Sequence, residues 1–282
     1  MAELIPNDPN YDNGPAIRER IENNGICRLD SHTYHVDTVI IDRGVCGKLV
    51  GVSSGYRNIH TGLTQLAPIA GWTATNPLLD VSIDTPGRAT ARGFTVADIR
   101  FDNVQNRTGI GLRFRSADGF LVDNCEFWGF DRGIELGEVG QPLTQVLIQN
   151  SFFLFNNRGI RSIAPAPPTI ALIRVIGNTF GQNGVDDPAG PGGCCIIQGG
   201  ASHVVSGNRF EDNLGRGVKL HDTKYTVVES NYFEDNNQGN LVVTGASTKK
   251  VIIMPTNSFD AAGYILNPEV QDNVEFVCVS SH

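Results

Sequence analysis

Long apolar runs are missing from this sequence. No stretch approaches the roughly 20 residues that a membrane-spanning helix needs, which excludes a helical transmembrane segment. A basic segment followed by an apolar one is also missing from the start, Met-Ala-Glu-Leu-Ile-Pro, so no secretory signal is expected and synthesis is predicted in the cytoplasm. Positive charge is scarce: 22 Lys and Arg face 30 Asp and Glu, giving a formal net charge of -8 and a pI of about 5.2. That balance argues against a broad nucleic-acid surface, although a local basic strip fits inside an acidic protein. The six cysteines (Cys27, Cys46, Cys125, Cys194, Cys195 and Cys278) show neither disulfide-scaffold density nor a Cys-Xaa-Xaa-Cys metal spacing, and are read as buried thiols. Strong helix formers are sparse, whereas 32 Gly accompany abundant Asn, Val and Ile, which predicts strands and turns.

What is present is a repeat. Asp98-Ile-Arg-Phe101, Asn124-Cys-Glu-Phe127, Asn150-Ser-Phe152, Asn178-Thr-Phe180, Asn208-Arg-Phe210, Asn231-Tyr-Phe233 and Asn257-Ser-Phe259 start 26, 26, 28, 30, 23 and 26 residues apart. β-Branched runs such as Thr226-Val227-Val228 precede the units, and a Gly with a second apolar run follows most of them. A period near 25 with this content predicts stacked coils of one supersecondary unit. The Asn is placed at a tight, left-handed corner, where copies stacked from coil to coil form an amide ladder. The Phe is placed inward, stacked on its copies.

Ahead of the repeat, residues 1–14 read as an irregular arm. Asp12 or Asn13 can cap a helix over 15–25, with Pro15 in its first turn, Ile17 and Ile21 on one face, and Gly25 as its left-handed end. Such a helix covers the open strand edges of a first coil. Residues 26–97 read as irregular early coils, with Leu79, Val81 and Ile83 inward, and 98–282 as regular coils of the same single domain.

The opening carries a resemblance. The capping helix, the segment around Ser31-His32-Thr33-Tyr34 and the segment Lys48-Leu-Val-Gly-Val-Ser-Ser-Gly55 resemble the start of right-handed parallel β-helix proteins of the pectate-lyase-like superfamily. This superfamily includes polysaccharide lyases, polygalacturonase-type hydrolases and phage tailspikes. The resemblance implies an all-β, right-handed parallel β-helix solenoid with a short N-terminal capping α-helix; it implies reaction only weakly. The polygalacturonase set (a clustered Asp pair, Gly-His-Gly and Arg-Ile-Lys) is absent, as is the Arg-Xaa-Pro-Xaa-Xaa-Arg of many pectate lyases.

Candidate chemistry lies one strand later. The segments 109–115, 133–136, 159–162, 193–196 and 217–222 alternate, which places Ile110, Leu112, Ile134, Leu136, Ile160, Cys194, Val218 and Leu220 inward. Arg113, Arg115, Glu135, Arg161, Cys195, Lys219 and His221 then face out on one ladder, with coils about 4.8 Å apart. One reading is a solvated face with intercoil ion pairs such as Glu135 with Arg113 or Arg161. The other is a groove for an acidic polysaccharide, with Arg113, Arg115, Arg161 and Asp222 binding substrate. A lyase would take its base and its enolate-stabilising cation from Lys219, His221 or an Arg. A hydrolase would need two nearby carboxylates, for which Asp131 with Glu135 is the local pair; Asp222, three coils on, lies about 14 Å away.

Asp186-Asp187 and Glu234-Asp235 offer oxygen ligands of the kind calcium takes, but solvated turns explain them as well, and no cofactor is expected. Asn106-Arg107-Thr108 matches a glycosylation sequon, which means little without a signal peptide. The expected function is that of a virion-associated tailspike or fibre-like protein that binds a surface polysaccharide, with its depolymerisation as a further activity. Its partners would be a polysaccharide, two further copies in a homotrimer and other virion proteins, with neither nucleic acid nor membrane. The alternatives are a free-standing polysaccharide lyase or glycoside hydrolase, and a non-catalytic decoration protein. Cytoplasmic synthesis followed by lysis would leave it on the virion or outside the cell.

Overall fold

A computed structural model describes residues 2–41, 46–52, 63–73, 75–81, 92–103, 107–115, 117–137, 142–163, 170–184, 193–260, 264–266, 270 and 273–277. Three strands make each coil. Every third strand pairs in parallel with its successor, giving one sheet of ten strands and two sheets of nine. The first sheet runs from Ile26–Arg28 to Val274–Phe276, the second from Thr33–Val36 to Ser258–Phe259, and the third from Val39–Ile41 to Tyr264–Leu266. The early coils expected to be irregular join these sheets in register: Val39, Ile40 and Ile41 pair with Leu79, Asp80 and Val81, and these continue to Leu112, Arg113 and Phe114. Leu79 and Val81 are buried as expected, while Ile83 lies outside the described residues.

The helix spans Gly14–Asn24 and buries Ile17 and Ile21 completely. Gly25 closes it in the left-handed region (φ 69°), its N–H donating to the Ile21 carbonyl at 2.8 Å. The N-cap position is Asn13, which makes no side-chain cap bond, while Asp12 just before it accepts from the Gly14 N–H at 2.9 Å. Asn13 turns instead to the arm and accepts from the Ile5 N–H at 2.8 Å. No described helix is long and apolar enough to cross a membrane.

Inside the coils, Phe101, Phe127, Phe153, Phe180, Phe210, Phe233 and Phe259 form one continuous stack. Neighbouring ring centroids lie 4.6–5.1 Å apart, within 12° of parallel. The spacing follows directly from the coil repeat, since each ring rides on a strand about 4.8 Å from the next. The stacked residue in its coil is Phe153; the expectation for Phe152 is corrected, because Phe152 pairs with Glu126 on the outer side.

The amide ladder exists and includes Asn178, Asn208, Asn231 and Asn257 as expected, whereas Asn124 and Asn150 stand at the corner outside it. The left-handed corner is occupied by Asp98, Asn124, Asn150, Gly177, Gly207 and Ser230, with φ between 51° and 66°. The ladder stands one residue later. Ser151 N–H donates to Asn178 Oδ1 at 2.9 Å, Asn178 to Asn208 at 2.9 Å, Asn208 to Asn231 at 3.0 Å and Asn231 to Asn257 at 3.1 Å. Each Nδ2 of these ladder asparagines also donates to a carbonyl of the preceding first-sheet strand, as Asn208 does to Val175 at 2.8 Å. A second ladder, Asn156–Asn183–Asn213–Asn236, lines the next corner. Asn156 and Asn183 N–H groups each donate at 3.0 Å to the next Oδ1, and Asn213 Nδ2 donates to Asn236 at 2.8 Å. Both ladders satisfy backbone groups that the corners would otherwise leave buried and unpaired.

Among the described residues, no disulfide joins Cys27, Cys125, Cys194 or Cys195. Cys27, Cys125, Cys194 and Cys195 are buried; Cys46 is exposed, against expectation, and Cys278 lies outside the described residues.

Candidate functional site

The outer face of the third sheet carries the candidate residues. Its row reads Asp80, Arg113, Glu135, Arg161, Ile196, Lys219 and Val242 by direct strand register. Cys195 does not belong to it. Ile160 pairs with Cys195, so Cys195 is a core residue and Ile196 takes the outward place. Cys194 stands where Gly159 and Gly217 stand in the flanking coils. Those glycines lie so close to the Phe stack that an added Cβ would meet Phe180 Cδ1 at 2.8 Å or Phe233 Cδ1 at 2.9 Å. Burial pushes the Cys195 thiol up to about 12, which leaves it protonated and unreactive.

The row divides into a neutralised half and a cationic half. Asp80, 2% exposed, holds both Arg113 (Nη2–Oδ2 2.7 Å) and Arg115 (Nε–Oδ1 2.9 Å). Glu135, also 2% exposed, is hydrogen-bonded to Arg132 Nη1 and has Arg113 Nη1 at 3.9 Å. Asp131 takes Arg132 Nε at 3.2 Å and Arg158 Nη1 at 3.0 Å. Asp131 and Glu135, the local carboxylate pair, are thus bridged by one guanidinium.

Beyond them the balance changes. Arg161 has no hydrogen bond or ion pair within 4 Å among the described residues, and Glu135 is its register neighbour. Burial, then the neighbouring Arg132 and Arg158 guanidiniums, hold it below the usual arginine range. Lys219 is held below the usual lysine range by burial and then by Arg216. Arg216 itself keeps Nε and Nη1 buried without a hydrogen-bond partner. Between Arg161 and Lys219 lies strand Gly193–Gln198, which presents Ile196 and, opposite Arg216, a glycine. Arg161 and Lys219 are two coils apart, about 10 Å, across this low saddle.

His221 and Asp222 sit at the end of the Lys219 strand. His221 Nδ1 lies 2.9 Å from Thr244 Oγ1, and Nε2 lies 3.4 Å from Asp222 Oδ2. Asp222, left-handed at φ 54°, accepts from the Ser247 N–H at 2.9 Å and so also shapes the following turn. Three strand steps separate Glu135 from Lys219, which keeps Asp222 remote from Asp131 and Glu135.

Asp80, Arg132, Arg158 and Arg216 were not expected here. A signal existed: Arg132-Gly133, Arg158-Gly159 and Arg216-Gly217 repeat the same dipeptide, and Asp80 alternates between inward Leu79 and Val81. Of the calcium candidates, Asp186 and Asp187 lie outside the described residues. Glu234 accepts from the Tyr232 hydroxyl at 2.9 Å, and the described residues contain no cluster of three or more metal-ligating side chains.

A family model described as right handed beta helix region matches residues 168–268. No curated protein sequence matches the chain. Among solved structures, the chain is similar to the enzymatically active domain of tailspike protein 2 of bacteriophage CBA120, with 11% identity over 99% of this chain and 46% of that one (TM-score 0.58). It is similar to Pantoea stewartii WceF, a glycan biofilm modifying enzyme with a bacteriophage tailspike-like parallel beta-helix fold, with 11% identity over 97% of this chain and 40% of that one (TM-score 0.62). DFA-IIIase from Arthrobacter chlorophenolicus A6 shares 12% identity over 96% of this chain and 86% of that one (TM-score 0.56). The chain therefore spans less than half the length of the tailspike and WceF chains it matches. Its fold is a right-handed parallel β-helix.

Proposed function

We propose that this chain is a polysaccharide-binding β-helix of the tailspike or fibre kind, holding an acidic surface glycan across its third sheet. The observation that carries the reading is the unneutralised group Arg161, Arg216 and Lys219 around the saddle of strand Gly193–Gln198. Cations held together against burial and mutual repulsion gain most from an anion, and uronate or sulfate groups supply one. Arg113 and Arg115 serve instead to fix the neighbouring surface, since Asp80 already holds both. The fold shared with a tailspike domain and a glycan-modifying enzyme supports the same reading. Assembly as a homotrimer with other virion proteins, and release by lysis, belong to this proposal.

The test is binding to immobilised polygalacturonate and alginate. Arg161→Ala and Lys219→Ala should each weaken binding about tenfold, the loss of one hydrogen bond to a charged group at ~1.5 kcal/mol. Unchanged binding in both variants sinks the proposal.

A lyase is the second reading, favoured by Lys219, whose depressed pKa suits a base and which shares its strand face with His221. Ultraviolet absorbance of unsaturated uronate, appearing with wild type and absent with Lys219→Met, would support it. Asp131 and Glu135 both spend oxygens on Arg132, so the hydrolase alternative has no supporting observation.

A further inference from the structure

The cations of the third sheet skip a coil. Along the solenoid axis, strand register sets Arg161, Ile196 and Lys219 in one outward column, with Gly193 opposite Arg216 beside it. The strand that carries Gly193 and Ile196 brings no cation, and neither do the segments that flank it. From Val175 to Asn208 the sequence has no Lys or Arg, and its acidic residues are Asp186 and Asp187. Arg161 and Lys219 are each partly exposed, whereas Ile196 is 7% exposed and floors the gap between them.

The two cations also answer to different neighbours. Arg132, Arg158, Glu135 and Asp131 act on the charge of Arg161, and Arg216 acts on that of Lys219. Each cation therefore belongs to its own end of the gap. An extended glycan has a matching stride. O1 and O4 lie on opposite sides of a pyranose ring, so each sugar advances the chain by about one coil step. A chain laid along the axis sets one sugar over Arg161, the next over Ile196 and the third over Lys219.

We infer that this surface selects a glycan of alternating composition, an acidic sugar followed by a neutral one, laid along the solenoid axis. The inference rests on the acidic-glycan reading and adds the period of the charge. Acidic groups on alternate sugars meet Arg161 and Lys219 in turn. A carboxylate on the sugar between them finds no cation on the strand beneath it. It either loses water beside Ile196 or is confined to point at solvent, and both cost affinity. The flanking Asp186 and Asp187 add negative charge to that same stretch of chain, not positive.

Calorimetry in about 0.15 M salt, where surface charges act over only about 8 Å, tests it. Hexasaccharides of hyaluronate and of unsulfated chondroitin carry a carboxylate on every second sugar. Those of polygalacturonate and polymannuronate carry one on every sugar. The alternating hexasaccharides should bind about tenfold tighter. With the hyaluronate hexasaccharide, Arg161→Ala and Lys219→Ala should each weaken binding about tenfold. A hyaluronate disaccharide, with one carboxylate, should bind wild type at least about tenfold more weakly than the hexasaccharide does. Equal or tighter binding of the uniformly charged hexasaccharides overturns the inference and leaves the acidic-glycan reading standing. So does a loss confined to one of the two variants. A disaccharide that binds as tightly as the hexasaccharide also overturns it, because one anion then serves both cations. No binding of any acidic oligosaccharide removes the inference and the reading together. The comparison of ligands uses wild-type protein alone, so a variant that fails to fold does not remove the test.

Discussion

Arg132 reaches Glu135 across one turn of strand, its Nη1 hydrogen-bonded to Oε2, while its Nε lies 3.2 Å from Asp131. Glu135 is 2% exposed, and its other cation, Arg113, stands off at 3.9 Å. Removing Arg132 therefore strands a buried carboxylate. Arg132→Ala should cost about 3–5 kcal/mol, the usual penalty for breaking a buried pair from one side. Replacing both partners with apolar residues, Arg132→Met with Glu135→Met, should recover much of that loss. Denaturant unfolding of the two variants beside wild type checks it; equal destabilisation by the single and double changes would show that Arg132 acts by packing alone.

Lys219 predicts a pH dependence for glycan binding. Its pKa is lowered by burial and by Arg216, so the ammonium form is lost on the alkaline side sooner than in an ordinary lysine. Affinity for an acidic polysaccharide should fall as pH rises through that depressed value. Lys219→Arg, which stays charged throughout, should flatten the curve. Parallel alkaline curves for wild type and Lys219→Arg would remove Lys219 from the binding surface.

His203 predicts an acid limit to stability. The ring is fully buried, with Nδ1 3.3 Å from the Ile173 N–H and Nε2 3.0 Å from the Gly199 carbonyl, so both nitrogens are committed to the neutral form. Burial pushes its pKa from 6.5 down to about 4. Between these values the unfolded chain binds a proton that the folded chain refuses, so stability is complete above pH 6.5 and falls as the pH drops toward 4. The loss amounts to about 3 kcal/mol. Urea midpoints measured across this range should slope for wild type and flatten for His203→Gln; equal slopes would assign the acid limit to carboxylates instead.

The fold was legible in the sequence because period and content agree. The Phe copies can stack only if every coil returns to the same register, and the chain meets that condition from Phe101 to Phe259. Register within a coil was less legible. Asparagine suits both the left-handed corner, as in Asn124 and Asn150, and the buried ladder one residue later, as in Asn178 and Asn208. Identity alone therefore aligned two different positions and selected Phe152 over Phe153. The outer row was read correctly at Arg113, Glu135, Arg161 and Lys219 because alternation fixes it. It failed at Cys195, where Gly193 served as a false anchor. Which cations are already neutralised was out of reach, since it depends on Asp80 and Asp131 arriving from a neighbouring coil and a corner.

Gly159 and Gly217 abut the Phe stack, and a Cβ on Gly159 would lie 2.8 Å from both the Cys194 carbonyl oxygen and Phe180 Cδ1. The coil between them already carries a side chain at this place, Cys194, which is 1% exposed. Gly159→Ala should therefore overpack the stack and destabilise by about 1–3 kcal/mol. Cys194→Ala removes one sulfur from a position whose surroundings have already opened for a Cβ, and should cost less than about 1.5 kcal/mol. Thermal melting of the two variants decides it. If Cys194→Ala is the more damaging, the sulfur rather than the space governs this position, and the tight approach at Gly159 has slack that a methyl group can use.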